Sequence, residues 1–158
     1  MLDTVFGVPI HPLIVHATSV VVPTAALAVL LYAVWPRFRR WAGWGPLALA
    51  VLSVVLAPLS TSSGEELEER VRETNLLEEH AELGEMLIWW VIPLAVVAAV
   101  LLWWHRGQRD ARNGIAILMM VVSLVVAAGT LVQVVLIGHS GAEAAWSDAG
   151  SSSTSEED

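Results

Sequence analysis

Four long apolar blocks constrain this chain more than any other feature of its sequence. The first reads "LIVHATSVVVPTAALAVLLYAVW", and no Asp, Glu, Lys or Arg interrupts the middle of any block. A hydrocarbon core about 30 Å thick requires roughly 20 residues of helix. We therefore predict an all-α fold, a polytopic integral membrane four-helix bundle. Its spans are expected over residues 13–35, 41–59, 81–104 and 114–138.

The composition agrees with a membrane protein and excludes several other classes. Only 15% of the 158 residues are charged, whereas soluble domains carry about a quarter. The chain has no cysteine, which excludes disulfides, iron–sulfur clusters and covalently attached c-type haem. The net charge is −8, so the basic surface of a nucleic-acid-binding protein is missing and no nucleic-acid partner is expected.

We expect one membrane domain over residues 1–146 and a disordered acidic tail, "SDAGSSSTSEED", over residues 147–158. The acidic segment between spans 2 and 3 predicts a short surface helix followed by a break near Thr74. Pro46 and Pro58 make span 2 the least regular one expected. No internal repeat is convincing.

The arginines predict the orientation in the bilayer. Six of the eight basic residues lie in two connections, "PRFRRW" and "HRGQRDAR", which the span order places on one side. The positive-inside rule assigns these loops to the cytoplasm. We therefore expect a multi-pass protein of the cell membrane with both termini outside. Residues 1–12 lack a basic region, so no cleavable signal peptide is expected.

The histidines are the candidate site. Four of the five fall at the outer ends of the predicted spans, and imidazole is both the commonest metal ligand and the axial ligand of b-type haem. The proposed cofactor ligands are His11, His16, His80 and His139, with Glu79, Glu82 and Glu143 as further carboxylate ligands for a metal. The hypothesis is an outer-face site for b-haem or a transition metal, serving electron transfer or metal handling.

A structural role for the histidines is the alternative. His11 and His16 are five positions apart and differ by about 140° around a helix, so they do not share a face. In this alternative the chain is a non-catalytic membrane subunit or scaffold. No catalytic motif is present, so no residue is assigned a catalytic role and a stand-alone enzyme is not expected. The expected partners are the lipid bilayer, a redox or membrane-complex protein, and further copies of the chain.

The stretches "HPLIVH" and "GHSGAE" carry a resemblance to a known family. With His80 and Gly84 at the third span, they resemble small four-helix membrane proteins of bacteria and archaea, the family called domain of unknown function 2231. The likeness covers about residues 7–146. It implies a shared four-helix fold and a recurring set of outer histidines, and it assigns no activity. The chain departs from the family pattern at Ala17, Thr18 and Ala142.

Overall fold

The structure, a computed structural model, describes residues 4–5, 8–68, 74–107 and 113–151, with side chains over 10–66, 74–107 and 114–146. Two short strands pair antiparallel before the first helix, with Thr4 opposite Pro9. The elements are β1 Thr4–Val5, β2 Val8–Pro9, α1 Ile10–Val34, α2 Pro36–Ala42, α3 Gly45–Glu68, α4 Asn75–Met86, α5 Ile88–Arg106 and α6 Asn113–Ser151.

In the described part of the chain, four helical segments are long and apolar enough to cross a membrane: α1, α3, the consecutive helices α4 and α5, and α6. Every backbone N–H and C=O in lipid must be satisfied within the protein, and an α-helix does this along its own length. The predicted all-α, four-helix membrane architecture is confirmed.

The irregular span is the third and not the second. Pro46 lies in the first turn of α3, where its missing N–H is not needed, and α3 continues past Pro58 as one helix of 24 residues. The acidic residues up to Glu68 therefore extend α3. The separate acidic helix is α4, whose first turn is capped by the Thr74 side chain, which accepts from the backbone N–H of Leu77.

The end of the chain also differs from the expectation. Helix α6 runs through to Ser151 and so includes the first residues of the tail that was expected to be disordered. Residues 152–158, the rest of that tail, lie outside the described residues.

The junction between α4 and α5 provides the hydrogen-bond partner for Gln133, a polar side chain in the fourth span. The backbone N–H of Leu87 bonds to the carbonyl of Gly84 at 3.1 Å. This hydrogen bond joins residues three positions apart, whereas those of an α-helix join residues four positions apart. The carbonyl of Leu83 instead accepts from Nε2 of Gln133 at 2.7 Å. The buried amide of Gln133 thereby satisfies a backbone group that has no water available to it.

The four spans are arranged in a ring. Both α1 and α5 pack against α3 and α6, which gives the cyclic order α1, α3, α5, α6. Small residues dominate the centre, where Ala25, Ala26, Ala50 and Ala127 are completely buried. Small side chains let helices approach closely in a membrane, where packing drives association.

The two ends of the bundle have different chemistry. At one, the histidine end, α1 and α4 begin and α3 and α6 approach their last residues, which brings His11 and His80 to the same level. At the other, the arginine end, α1 and α5 end and α2 and α3 begin, and here lie Arg37, Arg39, Arg40 and Arg106.

Gly129 permits the contact between α5 and α6. A Cβ built at this position overlaps the six-membered ring of Trp90 on α5. The absence of a side chain therefore makes room for a large aromatic ring between the two helices.

We expect Gly129→Ala to lower the free energy of unfolding by about 1–3 kcal/mol, because the extra methyl group overpacks this contact. Gly114→Ala is the matched control, since a Cβ there has nothing within 4 Å, and the change removes a flexible residue from a helix. Thermal unfolding in one detergent measures both variants. A Gly129→Ala protein that melts with the wild type would contradict the packing assignment.

Candidate functional site

His11 is held by the end of α3. It lies in the first turn of α1, and its Nδ1 is 3.0 Å from Oγ of Ser63. The Ser63 hydroxyl donates to the carbonyl of Ser60 at 2.9 Å. Cε1 of the imidazole lies over Gly64, where a Cβ would be only 3.2 Å away. The ring is thus fixed by one hydrogen bond and by the missing side chain of Gly64.

His80 is held in the same way by the end of α6. Its Nδ1 is 3.0 Å from Oγ of Ser140, and that hydroxyl donates to the carbonyl of Ile137 at 3.1 Å. Cε1 of His80 lies over Gly141, where a Cβ would approach it to 2.9 Å. The two histidines therefore share one local arrangement, a Ser–Gly pair on a neighbouring helix.

These hydrogen bonds favour one tautomer of each ring. Oγ of Ser63 and of Ser140 lies within hydrogen-bond distance of a backbone carbonyl as well as of the imidazole. A hydroxyl that donates to the carbonyl accepts from Nδ1–H of the imidazole, and the neutral ring then has its lone pair on Nε2. In this tautomer Nε2 is the nitrogen that can act as a ligand.

The shared arrangement relates the two halves of the bundle. Helices α1 and α3 form one half, α4–α5 and α6 form the other, and in the ring α1 is opposite α5 while α3 is opposite α6. A completely buried hydroxyl lies ten residues before each of these serines, Ser53 in α3 and Thr130 in α6, and each donates to the carbonyl four residues earlier. The two halves thus carry the same pattern of buried hydroxyl, serine and histidine contacts.

The match is not evident from the sequence, because the two halves share few residues. The readable signal is a Ser–Gly pair with Glu two residues after the glycine, "SGEE" from Ser63 and "SGAE" from Ser140. The two copies are 77 positions apart and differ in their flanking residues. Only the shared contacts with His11 and His80 identify them as equivalent.

A cavity of about 430 Å³ lies between the two histidines. Its volume is within the range of about 300–1,000 Å³ for small-molecule sites. His11 and His80 both line it and are near enough to interact electrostatically. The apolar part of the lining is Val15, Ala57, Leu77, Ala81, Leu87, Val134 and Ile137, and the carboxylates are Glu65 and Glu85.

A more open groove of about 520 Å³ adjoins the cavity between α3 and the α4–α5 junction. Glu85 and Gly84 line both spaces. Trp89 lies on the wall of the groove with 75% of its surface exposed, as expected for an indole at the membrane interface. The cavity is therefore reached from the side of the bundle at the histidine end.

Two of the predicted histidine ligands lie elsewhere. His16 is exposed on α1 and does not line the cavity. The His139 side chain is 73% exposed, and its Nε2 is 3.4 Å from Oε1 of Glu143 on the same helix. His16 lies outside the cavity because five helical positions turn it away from His11. His139 points outward because the adjacent Ser140 faces the bundle. The structure thus brings together His11 and His80 only.

The predicted carboxylate ligands are also dispersed. Glu79 and Glu82 are exposed on α4, and Glu82 lines the adjoining groove and not the cavity. Within residues whose side chains are described, no group of three or more His, Asp and Glu side chains is arranged to hold a metal ion. A zinc- or copper-type site with three or four protein donors is therefore not formed by this part of the chain.

Comparison with curated proteins found no match, and comparison with solved structures found none. Comparison with family models did find one. The family described as predicted membrane protein (DUF2231) matches residues 7–154, a range that contains every helix of the bundle and both histidine–serine pairs. The chain therefore belongs to the DUF2231 family of predicted membrane proteins.

Proposed function

We propose that the protein binds a b-type haem at the histidine end, where His11 and His80 would hold it, and that it transfers electrons in the membrane. One observation carries this proposal: two imidazoles from opposite halves of the bundle line one cavity, and each has Nδ1 occupied by a serine and Nε2 free. Haem iron is bound by such imidazole nitrogens.

The donor set favours haem over a bare transition-metal ion. A porphyrin supplies the equatorial nitrogens itself, so the protein needs to provide only two ligands, whereas a protein-bound zinc or copper ion needs three or four. His11 and His80 meet the smaller requirement. Gly138 also lines the cavity, and a Cβ there has nothing within 4 Å, so the cavity is open beside α6 at this position.

The surrounding residues would tune such a site. Ser63 and Ser140 accept from the Nδ1–H groups, which orients each imidazole and raises the basicity of its Nε2. Leu87, Val134 and Ile137 keep water from part of the cavity. The bound haem would supply one-electron redox chemistry. Glu65 and Glu85 add negative charge to the lining, which favours the more oxidised, more cationic state of an occupant.

The proposed setting is the cell membrane. Four membrane-length apolar helices support a multi-pass protein. The concentration of arginine at one end supports a cytoplasmic arginine end and an outward-facing histidine end. A redox protein on the outer side, or a second copy of the chain, is the partner class that fits electron transfer from this position.

A structural role remains the competing function, and a specific observation favours it. The His11–Ser63 and His80–Ser140 hydrogen bonds each join two helices, so the same histidines also cross-link the histidine end. In a membrane subunit or scaffold they would do so without a ligand.

Matched histidine variants separate the two functions. We expect the wild type, purified from cells supplied with haem, to show a Soret band that sharpens on reduction with dithionite. His11→Ala and His80→Ala each remove one axial ligand and should lose that band. His16→Ala and His139→Ala change histidines outside the cavity and should keep it.

Other outcomes of this experiment are equally informative. Absence of haem from the wild type, with His11→Ala and His80→Ala melting at lower temperature, would support the structural role. Retention of haem by both of these variants, or its loss from His16→Ala or His139→Ala, would overturn the ligand assignment. Circular dichroism of each variant checks that the helices have formed.

Serine variants test whether the hydrogen bonds to Nδ1 orient the two imidazoles. Ser63→Ala and Ser140→Ala remove the acceptor for Nδ1–H but keep both imidazoles. We expect about 10–100-fold weaker haem affinity, the usual effect of losing a hydrogen-bond partner of a metal-bound histidine, with the bis-histidine spectrum retained. Titration of the apoprotein with haemin measures the affinity.

Ser53→Ala is the control for the serine variants. Ser53 is also a buried serine of α3, but its hydroxyl bonds only to the carbonyl of Leu49. Its removal should leave haem affinity unchanged. Equal affinity in the wild type and both Ser63→Ala and Ser140→Ala would show that the serines do not orient the ligands.

A further inference from the structure

The short helix α2 presents two different faces at the arginine end. Phe38 and Ala42, four residues apart, pack against the central core. Arg37, Arg40 and Trp41, at three- and four-residue spacing, are exposed, and 82% of the Trp41 surface is free. Residues at this spacing lie on one side of a helix. The outward side of α2 is therefore basic and aromatic.

Arg39 fixes this orientation and is not itself available. Its Nε donates to the carbonyl of Tyr32 at 2.9 Å, and its terminal nitrogens donate to the carbonyl of Ala33 at 2.7 Å and to Nδ1 of His105 at 3.1 Å. The carbonyls at the end of α1 would otherwise lack partners. Arg39 thus anchors α2 against α1 and α5 and leaves Arg37 and Arg40 on the outside.

A second cation lies on the same end of the bundle. The guanidinium of Arg106, at the end of α5, is 3.9 Å from the centre of the Trp44 ring. Both side chains are exposed. The cation–π contact holds Arg106 beside an interfacial indole, so a guanidinium and a tryptophan occur together here as they do on α2.

No acidic side chain among the described residues balances these arginines. The described Glu side chains all lie on the histidine-end parts of α3, α4 and α6: Glu65, Glu66, Glu78, Glu79, Glu82, Glu85 and Glu143. Arg37 and Arg40 make no ion pair within the described part of the chain. Among the residues that the structure describes, the arginine end therefore presents guanidinium groups without a carboxylate partner, flanked by exposed indoles.

We propose that this surface, formed by Arg37, Arg40 and Trp41 of α2 with Trp44 and Arg106, binds the head group of an anionic phospholipid. Guanidinium groups pair with phosphate through two parallel hydrogen bonds. Indole rings favour the head-group layer, where one side is apolar and the other is wet. Free phosphate would neutralise the arginines but leave the exposed ring of Trp41 uncovered, so the site fits a lipid.

Native mass spectrometry of the full-length protein tests the proposal, with equimolar phosphatidylglycerol and phosphatidylcholine in the detergent micelles. We expect the wild type to retain phosphatidylglycerol preferentially. The double variant Arg37→Gln/Arg40→Gln should bind it about 30-fold more weakly, because each basic residue near an anionic surface contributes roughly a five- to sixfold factor. Equal retention of the two lipids by the wild type would overturn the proposal.

Two further variants test whether the effect on lipid binding depends on the positive charge and on the position of the arginines, and not on a loss of folding. Arg37→Lys/Arg40→Lys keeps both charges and should retain most of the preference. Arg72→Gln removes an arginine from the chain between α3 and α4 and should behave as the wild type. A double glutamine variant that keeps the wild-type lipid preference would overturn the proposal.

Quenching of the wild-type tryptophan fluorescence provides a second measurement that needs no variant. Brominated phosphatidylglycerol should quench more strongly than brominated phosphatidylcholine at equal concentration. Millimolar inorganic phosphate should not abolish the difference. If phosphate does abolish it, the site binds free anions and the lipid assignment is wrong; equal quenching by the two lipids also contradicts it.

Discussion

The absence of water from the hydrocarbon layer is the constraint on which this structure depends. Each polar group that enters the bundle must find its partner inside the protein. The buried hydroxyls of Ser53, Ser123 and Thr130 meet this requirement by donating to carbonyls of their own helices. Gln133 meets it by donating to the carbonyl of Leu83 at the α4–α5 junction. Polar residues that look out of place in apolar blocks thus have a local function in the fold.

The same constraint gives the histidine end its chemistry. Ser63 and Ser140 each satisfy a backbone carbonyl and an imidazole with a single hydroxyl group. When each hydroxyl donates its proton to the carbonyl, His11 and His80 donate through Nδ1, and Nε2 is left as the free nitrogen. A requirement of the fold therefore places two imidazoles in equivalent hydrogen bonds beside one cavity.

Acidic and basic side chains lie at opposite ends of the bundle. The carboxylates described in the structure are gathered on α3, α4 and α6 at the histidine end, while Arg37, Arg39, Arg40 and Arg106 lie at the other. Arg39 is used within the fold to complete the end of α1, and the remaining guanidinium groups face outward beside exposed indoles. The two ends of one small protein can in this way have separate partners, a ligand in the cavity and lipid at the surface.

The sequence by itself determined the four apolar spans, their order, the family resemblance and the division into a histidine end and an arginine end. These follow from block length and from residue type, which need no knowledge of contacts. Which histidines meet was decided only by the tertiary structure. His11 faces the cavity and His16 faces away because helical phase separates them by about 140°. His80 is held through Ser140, whereas the adjacent His139, also a predicted ligand, is exposed, because only packing shows which of two adjacent residues faces the bundle. The equivalence of the Ser–Gly pairs likewise depends on contacts across 52 and 60 residues, a separation at which local sequence patterns carry no information about pairing.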